Sequence, residues 1–460
     1  MKITANITDF GAVAGTELQT AAIQNAIDHV FLHGGGEVVV PEGEFLTGSI
    51  RLRSNITLRL LRGAILKGSM SPEDYYSCYS EDKVEPLALD RITDAPYVHL
   101  GGIKGETEYK VYDENYRFRR LPGSRWNNAL IRAIDGENVA IIGEEGAFID
   151  GSNCFDEIGE EYYRGPHAIT FFNCKNITFS GYSVRNSANW AHNMLFCENI
   201  SMENVKVYGG HDGFDAFSSK NIAIKNCEFY TGDDCVAGFG NVNVIVTDSI
   251  LNSSCSAMRF GGTNVLVRNC RMYGPGEYFF RGRMTPEEKR ACAPSPRPGR
   301  NMLSAFTYYA DFSMPIDETP ENIVIKDCVF ENVDRFLHYN FSGNETWQRY
   351  RPMAGITFEN IKADGVKMAL NAYGREDCPC ELIIRNVNIV MREDSDASEL
   401  IRAAHCKKIV FESVNVEKFK GDCLVRTLTD GEFSFKNVNC VLERNSYVKE
   451  TLDNFNIRTV

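Results

Sequence analysis

NITF from Asn176, NISM from Asn199, NIAI from Asn221, NVIV from Asn243 and NVLV from Asn264 repeat an Asn followed by alternating aliphatic residues, at steps of 23, 22, 22 and 21 residues. A fixed period in this range marks stacked structural repeats, and the period-two alternation after each Asn marks strand rather than helix. No helical stretch of useful length separates neighbouring Asn residues, so leucine-rich and helical solenoids are poor fits. The reading left is an all-β, single-stranded parallel β-helix.

Stacked coils bring residues one turn apart to about 4.8 Å. Within HDGFD (His211 to Asp215) and TGDDC (Thr231 to Cys235), Asp212 and Asp233 are 21 residues apart, so Asp212 is expected close to Asp233 and Asp234 on one exposed face. Like charges at that spacing raise at least one pKa and let a protonated acid sit beside an ionised base. Glycoside hydrolysis needs that pair, an acid for the leaving oxygen and a carboxylate for the attacking water. Gly-Asp-Asp is also an ordinary turn sequence, and clustered Asp can hold calcium, so both of those readings stay open on spacing alone.

The repeat favours one domain over residues 1–460, despite a length that could hold two or three. A net charge of −13 argues against nucleic acid, and no apolar run is long enough to cross a membrane. The chain opens MKITANITDFGAV, with no basic start before an apolar run, and its 15 cysteines are scattered. Cytoplasmic localisation with free thiols is the expectation. Cys174, Cys227, Cys270 and Cys328 share the phase of an NC or DC pair and read as a stack of buried thiols. Cys378 and Cys380 have no second pair at zinc-ligand spacing, and no metal or cofactor is expected.

Residues 18 to 33 place Leu18, Ile23, Ile27, Val30 and Phe31 along one helical face, and Gly34 to Gly36 end the helix. This N-terminal cap, about residues 1–36, would cover the open edge of the first coil. Strand runs follow at Glu37 to Val40, Ser49 to Leu60 and Val139 to Ile142. Residues 71 to 127 and 152 to 166 break the rhythm as inserted loops, as does about 274 to 320. The rhythm resumes at Asn322, Gly355, Leu382, Lys408 and Phe433.

DFGAV (Asp9 to Val13), GGGEVVVPEGEFLTGSIRL (Gly34 to Leu52), SNITLRL, GPHAITFFNCKNITFSG and NSANW (Asn186 to Trp190) resemble family 28 of the glycoside hydrolases, the polygalacturonase family of right-handed parallel β-helices. The resemblance covers roughly residues 1 to 270 and implies the same fold here. The family's first catalytic motif, Asn-Thr-Asp, corresponds to Gly210, His211 and Asp212, and its Gly-Asp-Asp is intact at Gly232, Asp233 and Asp234. The resemblance implies Asp233 as general acid, with Asp212 and Asp234 activating water in a single inverting displacement. Two family elements are missing. Ser254, Cys255 and Ser256 stand where Gly-His-Gly would fall, and the Arg-x-Lys carboxylate grip has no clean counterpart, Arg335 and His338 being nearest in phase. Specificity is therefore expected to have moved away from polygalacturonate.

Further binding candidates are Arg259, one coil beyond the acids, which suits a carboxylate or an ion pair with Asp234; His211; Arg281 and Arg283, in a basic insertion that also carries Lys289, Arg290, Arg297 and Arg300; and Tyr308, with Tyr309, Trp347 and Tyr350, for stacking on sugars. The leading expectation is an exo-acting inverting glycosidase on short, plant-derived pectic or related oligosaccharides. A uronate lyase or epimerase and a non-catalytic carbohydrate-binding coil are the alternatives.

Overall fold

The structure is a computed structural model that describes residues 2–77, 125–159, 163–308, 321–341, 352–440 and 447–450. Three ladders of parallel strands stack along one axis. The first runs through Gly36–Val40, Ile56–Leu60, Glu137–Gly143, Lys175–Ser180, Glu198–Glu203 and Lys220–Lys225 and onward. The second includes Ser183–Arg185, Lys206–Gly209, Glu228–Thr231 and Ile250–Ser253. The third includes His167–Phe172, His192–Leu195, Phe214–Phe217 and the starts of Val236–Thr247 and Ser256–Arg268. Each coil contributes one strand to each ladder, as a right-handed parallel β-helix requires. Among the described strands, Tyr76–Ser77 is the one that pairs antiparallel.

The aliphatic residue after each Asn points inward and stacks on its equivalent one coil away. Ile177, Ile200, Ile222, Val244, Val265 and Ile323 form such a column, each at most 2% exposed. Full burial of one such side chain stabilises by about 1.5–3 kcal/mol, so the repeated position alone favours stacking in register.

The Asn itself stands outside at the corner before each strand, with φ between 55° and 61° from Asn55 through Asn264. Asn tolerates this left-handed conformation better than most residues. Its amide also extends a ladder: Asn199 donates to Asn176 and Asn221 to Asn199 at 2.9 Å each, and Asn243 donates to Asn221 at 3.0 Å. The repeat seen in the sequence is therefore a backbone requirement and a hydrogen-bond chain at one position.

The cap helix spans Thr20–Leu32 and buries Ile23, Ala26, Ile27 and Val30. Leu18 and Phe31, expected on that face, are 47% and 39% exposed. Leu18 precedes the first helical turn, and Phe31 is a step off the stripe, with Arg53 over its ring.

The thiol stack divides into two columns. Cys174 precedes a first-ladder strand and aligns with Cys197 and Ser219, whereas Cys227, Cys270 and Cys328 precede second-ladder strands. The two corners have the same local sequence pattern, so periodicity merged them. All fourteen described cysteines are free.

No helix among the described residues is long and apolar enough to cross a membrane. Of the inserted loops, residues 78–124 and 309–320 lie outside the described residues, as do Tyr309, Trp347 and Tyr350.

Candidate active site

The acids sit at the corner where the second ladder turns into the third. Lys206–Gly209 ends, Gly210 to Gly213 turn the chain, and Phe214 starts the next strand; Glu228–Thr231 and Val236 repeat this one coil on. Glycine is required here by crowding. A Cβ on Gly213 would lie 2.4 Å from the Phe229 ring, and one on Gly232 would lie 2.3 Å from the Phe279 carbonyl.

Asp212, Asp233 and Asp234 come together as their spacing predicts, with one oxygen from each inside a mutual 4.8 Å. They occupy turns rather than a strand. Asp212 and Asp234 are also buried, at 7% and 2% exposure, where an exposed face was expected. The surrounding loops supply walls that strand periodicity does not encode.

Two of the carboxylates are held by the backbone. The Asp234 amide donates to Asp212 Oδ1 at 3.1 Å, and the Ser256 amide donates to Asp234 Oδ1 at 2.9 Å. Each acid is thus oriented by the coil that follows it. Asp233 is anchored differently, through its main-chain carbonyl, which accepts from the Thr231 hydroxyl at 2.7 Å and the Ser253 hydroxyl at 2.5 Å. Its carboxylate remains half-buried.

Burial is the main force on these groups, followed by mutual repulsion. Together they hold Asp212 well above the usual carboxylate range, with Asp233, Asp215 and Asp234 as the repelling neighbours. Asp234 is pushed up to about 7 by burial and Asp233, against the opposing pull of Arg259 and Ser256. A proton is therefore retained in the cluster near neutral pH.

Asp215 is a fourth acid that the spacing argument missed. It is 1% exposed, stands beside Asp212, and is held well above the usual carboxylate range by burial and by Asp234 and Asp233. The signal was present in HDGFD. Strict alternation puts residues 212 and 215 on opposite faces, but the turn at Gly213 resets the phase and brings them to the same side.

His211 is 3% exposed, meets the Phe280 ring edge-on, and has no partner for Nδ1. Burial first, then Arg164, Arg281 and Lys289, hold its pKa well below the ordinary value, so it is neutral. Arg259 Nη1 lies 3.9 Å from Asp234 Oδ2. Arg335 and His338 lie two coils past Ser256 and Arg259 in the same ladder and touch each other at 3.2 Å.

Three expectations are corrected. Arg281 directs its guanidinium to the carbonyls of Asn153, Lys289 and Ala293, at 3.0–3.2 Å, so it braces the insertion from within. The rest of the basic cluster behaves similarly: Lys289 is buried, Arg290 pairs with Glu157, Arg297 pairs with Glu288 over the Phe279 ring, and Arg283 alone of the named pair is exposed. Tyr308 is 6% exposed, donates to the Pro352 carbonyl at 2.9 Å and packs edge-on to Tyr339. It is core packing and offers no ring face to a sugar.

The insertion of residues 274–301 still borders the site. Its backbone crosses Gly210 and Gly232, the Arg281 amide donates to the Gly210 carbonyl at 2.8 Å, and the Ser254 hydroxyl donates to the Tyr278 carbonyl at 2.6 Å. The acid cluster is dense enough to invite a cation, but calcium takes six to eight oxygens, and Asp212 and Asp234 each already commit one to a backbone amide.

Residues 102–256 match the model of glycosyl hydrolases family 28. An exo-poly-alpha-D-galacturonosidase of Dickeya chrysanthemi is 30% identical over 224 residues, which are 46% of this chain and 36% of that protein; the match thus spans about a third of the relative's length. Among solved structures, an exopolygalacturonase from Thermotoga maritima is 21% identical, with a TM-score of 0.60 over 91% of each chain. A family 28 exopolygalacturonase from Yersinia enterocolitica is 18% identical, with a TM-score of 0.56 over 95% of this chain and 78% of that one. These structures share the right-handed parallel β-helix. Residues 102–256, which include both acid motifs, are thus similar to glycosyl hydrolases family 28, and the similarity to the Dickeya protein extends over just under half of this chain.

Proposed function

We propose that the protein is an inverting glycoside hydrolase, exo-acting on short pectic or related plant-derived oligosaccharides. The observation that carries this reading is the meeting of Asp212, Asp233 and Asp234 oxygens within 4.8 Å. Asp233 is the proton donor to the leaving oxygen, because its half-buried carboxylate is the one not tied to a backbone amide. Asp212 and Asp234, each oriented by an amide from the next coil, hold the attacking water between them. Arg259 stabilises the ionised form of Asp234 and faces the substrate. The insertion wall at Gly210 and Gly232 supports a closed cleft and hence exo action. Free thiols throughout the described chain support a reducing, cytoplasmic setting.

The short oxygen separation bears on stereochemistry. Acid and base in inverting enzymes usually stand about 6.5–9.5 Å apart, and the shorter spans belong to retaining ones. Inversion here rests on the pairing of Asp212 with Asp234 as a joint water site, so it is the part of the proposal most open to measurement.

Incubation with a panel of pectic and other plant oligosaccharides, read by mass spectrometry and anomeric NMR, tests the whole reading. Hydrolysis from one chain end with an inverted first product is expected. A retained anomer would turn one of the Asp residues into a nucleophile. An unsaturated, UV-absorbing product would assign elimination chemistry, and binding without turnover would leave a carbohydrate-binding coil.

A further inference from the structure

Beside the acid cluster, two buried acceptors have no partner in the protein. Asn193 and Asp215 are each 1% exposed, and neither Asn193 Oδ1 nor Asp215 Oδ2 accepts a hydrogen bond. The two residues are cross-strand neighbours in direct register. Phe214 packs its ring toward His192 inside the coil, so strand alternation turns Asp215 outward, to the side of the acids. Past Asp215 the ladder offers only the small side chain of Ala237, and then Arg259.

Buried polar atoms are nearly always hydrogen-bonded, and those that are not call for an explanation. Two such atoms at adjacent register positions, next to a carboxylate cluster and followed by an alanine, leave a short row of acceptors for a ligand rich in O–H donors. We propose that Asn193 and Asp215 form a hydroxyl-reading subsite, in which the sugar ring beside the scissile bond donates hydroxyl protons to both side chains. The ligand class rests on the glycosidase reading above. A uronate ring could not turn its carboxylate this way, since it would meet Asp215 and Asp212. Its carboxylate would have to point along the ladder toward Arg259. Acetyl esters or methyl ethers on the facing hydroxyls remove the donors and are excluded. Specificity would then lie in free hydroxyls read by the coil before the acids as much as in a carboxylate grip beyond them.

A high-resolution crystal structure of the unliganded protein tests the site without any activity. Ordered water on both Asn193 Oδ1 and Asp215 Oδ2 is expected. A structure in which the Asn193 amide is turned over and donates straight to Asp215 Oδ2 would overturn the proposal, because the pair would then satisfy itself. Calorimetry with a galacturonate trisaccharide on D233N, which keeps the cleft but removes the proton donor, supplies the second arm. Adding N193A should weaken binding about tenfold, the effect of one good hydrogen bond, and unchanged affinity would overturn the subsite. Should the trisaccharide fail to bind D233N while both waters are present, the subsite stands and the pectic reading falls.

Discussion

The Asn corner and the acid corner obey one geometry, the in-register stacking of successive coils, with opposite consequences. At the Asn corner each stacked side chain carries both a donor and an acceptor, so Asn176, Asn199, Asn221 and Asn243 satisfy one another in the open. At the acid corner the stacked groups are acceptors only and are buried, so each added coil adds repulsion, relieved by a retained proton and by backbone amides. A repeat therefore stabilises where its side chain is self-complementary and stores chemical potential where it is not.

The largest expected effect breaks the acid side. Asp233→Asn removes the proposed proton donor with a nearly isosteric amide and should lower the rate on a natural glycoside by about 10² to 10⁴, the contribution of a positioned acid. A nitrophenyl glycoside, whose leaving group needs little protonation, should lose much less. Equal losses on the two substrates would make Asp233 a nucleophile or an electrostatic group.

A smaller effect breaks the Asn side. Asn221→Ala loses a donor bond to Asn199 and an acceptor bond from Asn243, and leaves at φ 58° a residue without the polar side chain that lets Asn tolerate the left-handed backbone. Two exposed bonds and the left-handed backbone together predict a loss of about 2 kcal/mol, read by chemical denaturation. Asn221→Gly should recover the backbone part. If both variants lose the same amount, the ladder bonds alone matter.

The smallest effect sharpens the contrast through pH. Asp234 has its carboxyl raised from 3.8 to about 7, so the folded protein binds this proton more tightly than the unfolded chain. Its contribution is full below pH 4 and is lost as pH rises through about 7. Asp234→Asn should accordingly raise the melting temperature by a few degrees at pH 8 and leave it nearly unchanged at pH 4. A gain independent of pH would mean that repulsion is not what the substitution relieves.

Much of this molecule is legible in one dimension. The Asn spacing contains the coil length, the alternation after it contains the inward face, and the distance from Asp212 to Asp233 contains their meeting. These are local quantities, set by pleat and period, and they survive without knowledge of any partner. The merged thiol columns and the phase slip at Gly213 mark where that logic ends, since corners reset the alternation and two corners can share one local pattern.

What the sequence by itself determined is the stacked-coil fold, its family resemblance and the gathering of three aspartates, because each follows from residues at a fixed period along the chain. Tertiary structure alone decided that those acids are buried, that Asp215 and Asn193 stand beside them, that Arg281 and Lys289 brace a loop, and that Tyr308 belongs to the core. Burial and pairing depend on what long insertions pack against, and the contact of the Phe279 and Arg281 backbone with Gly210 and Gly232, about fifty to seventy residues away in sequence, has no periodic trace from which it could be read.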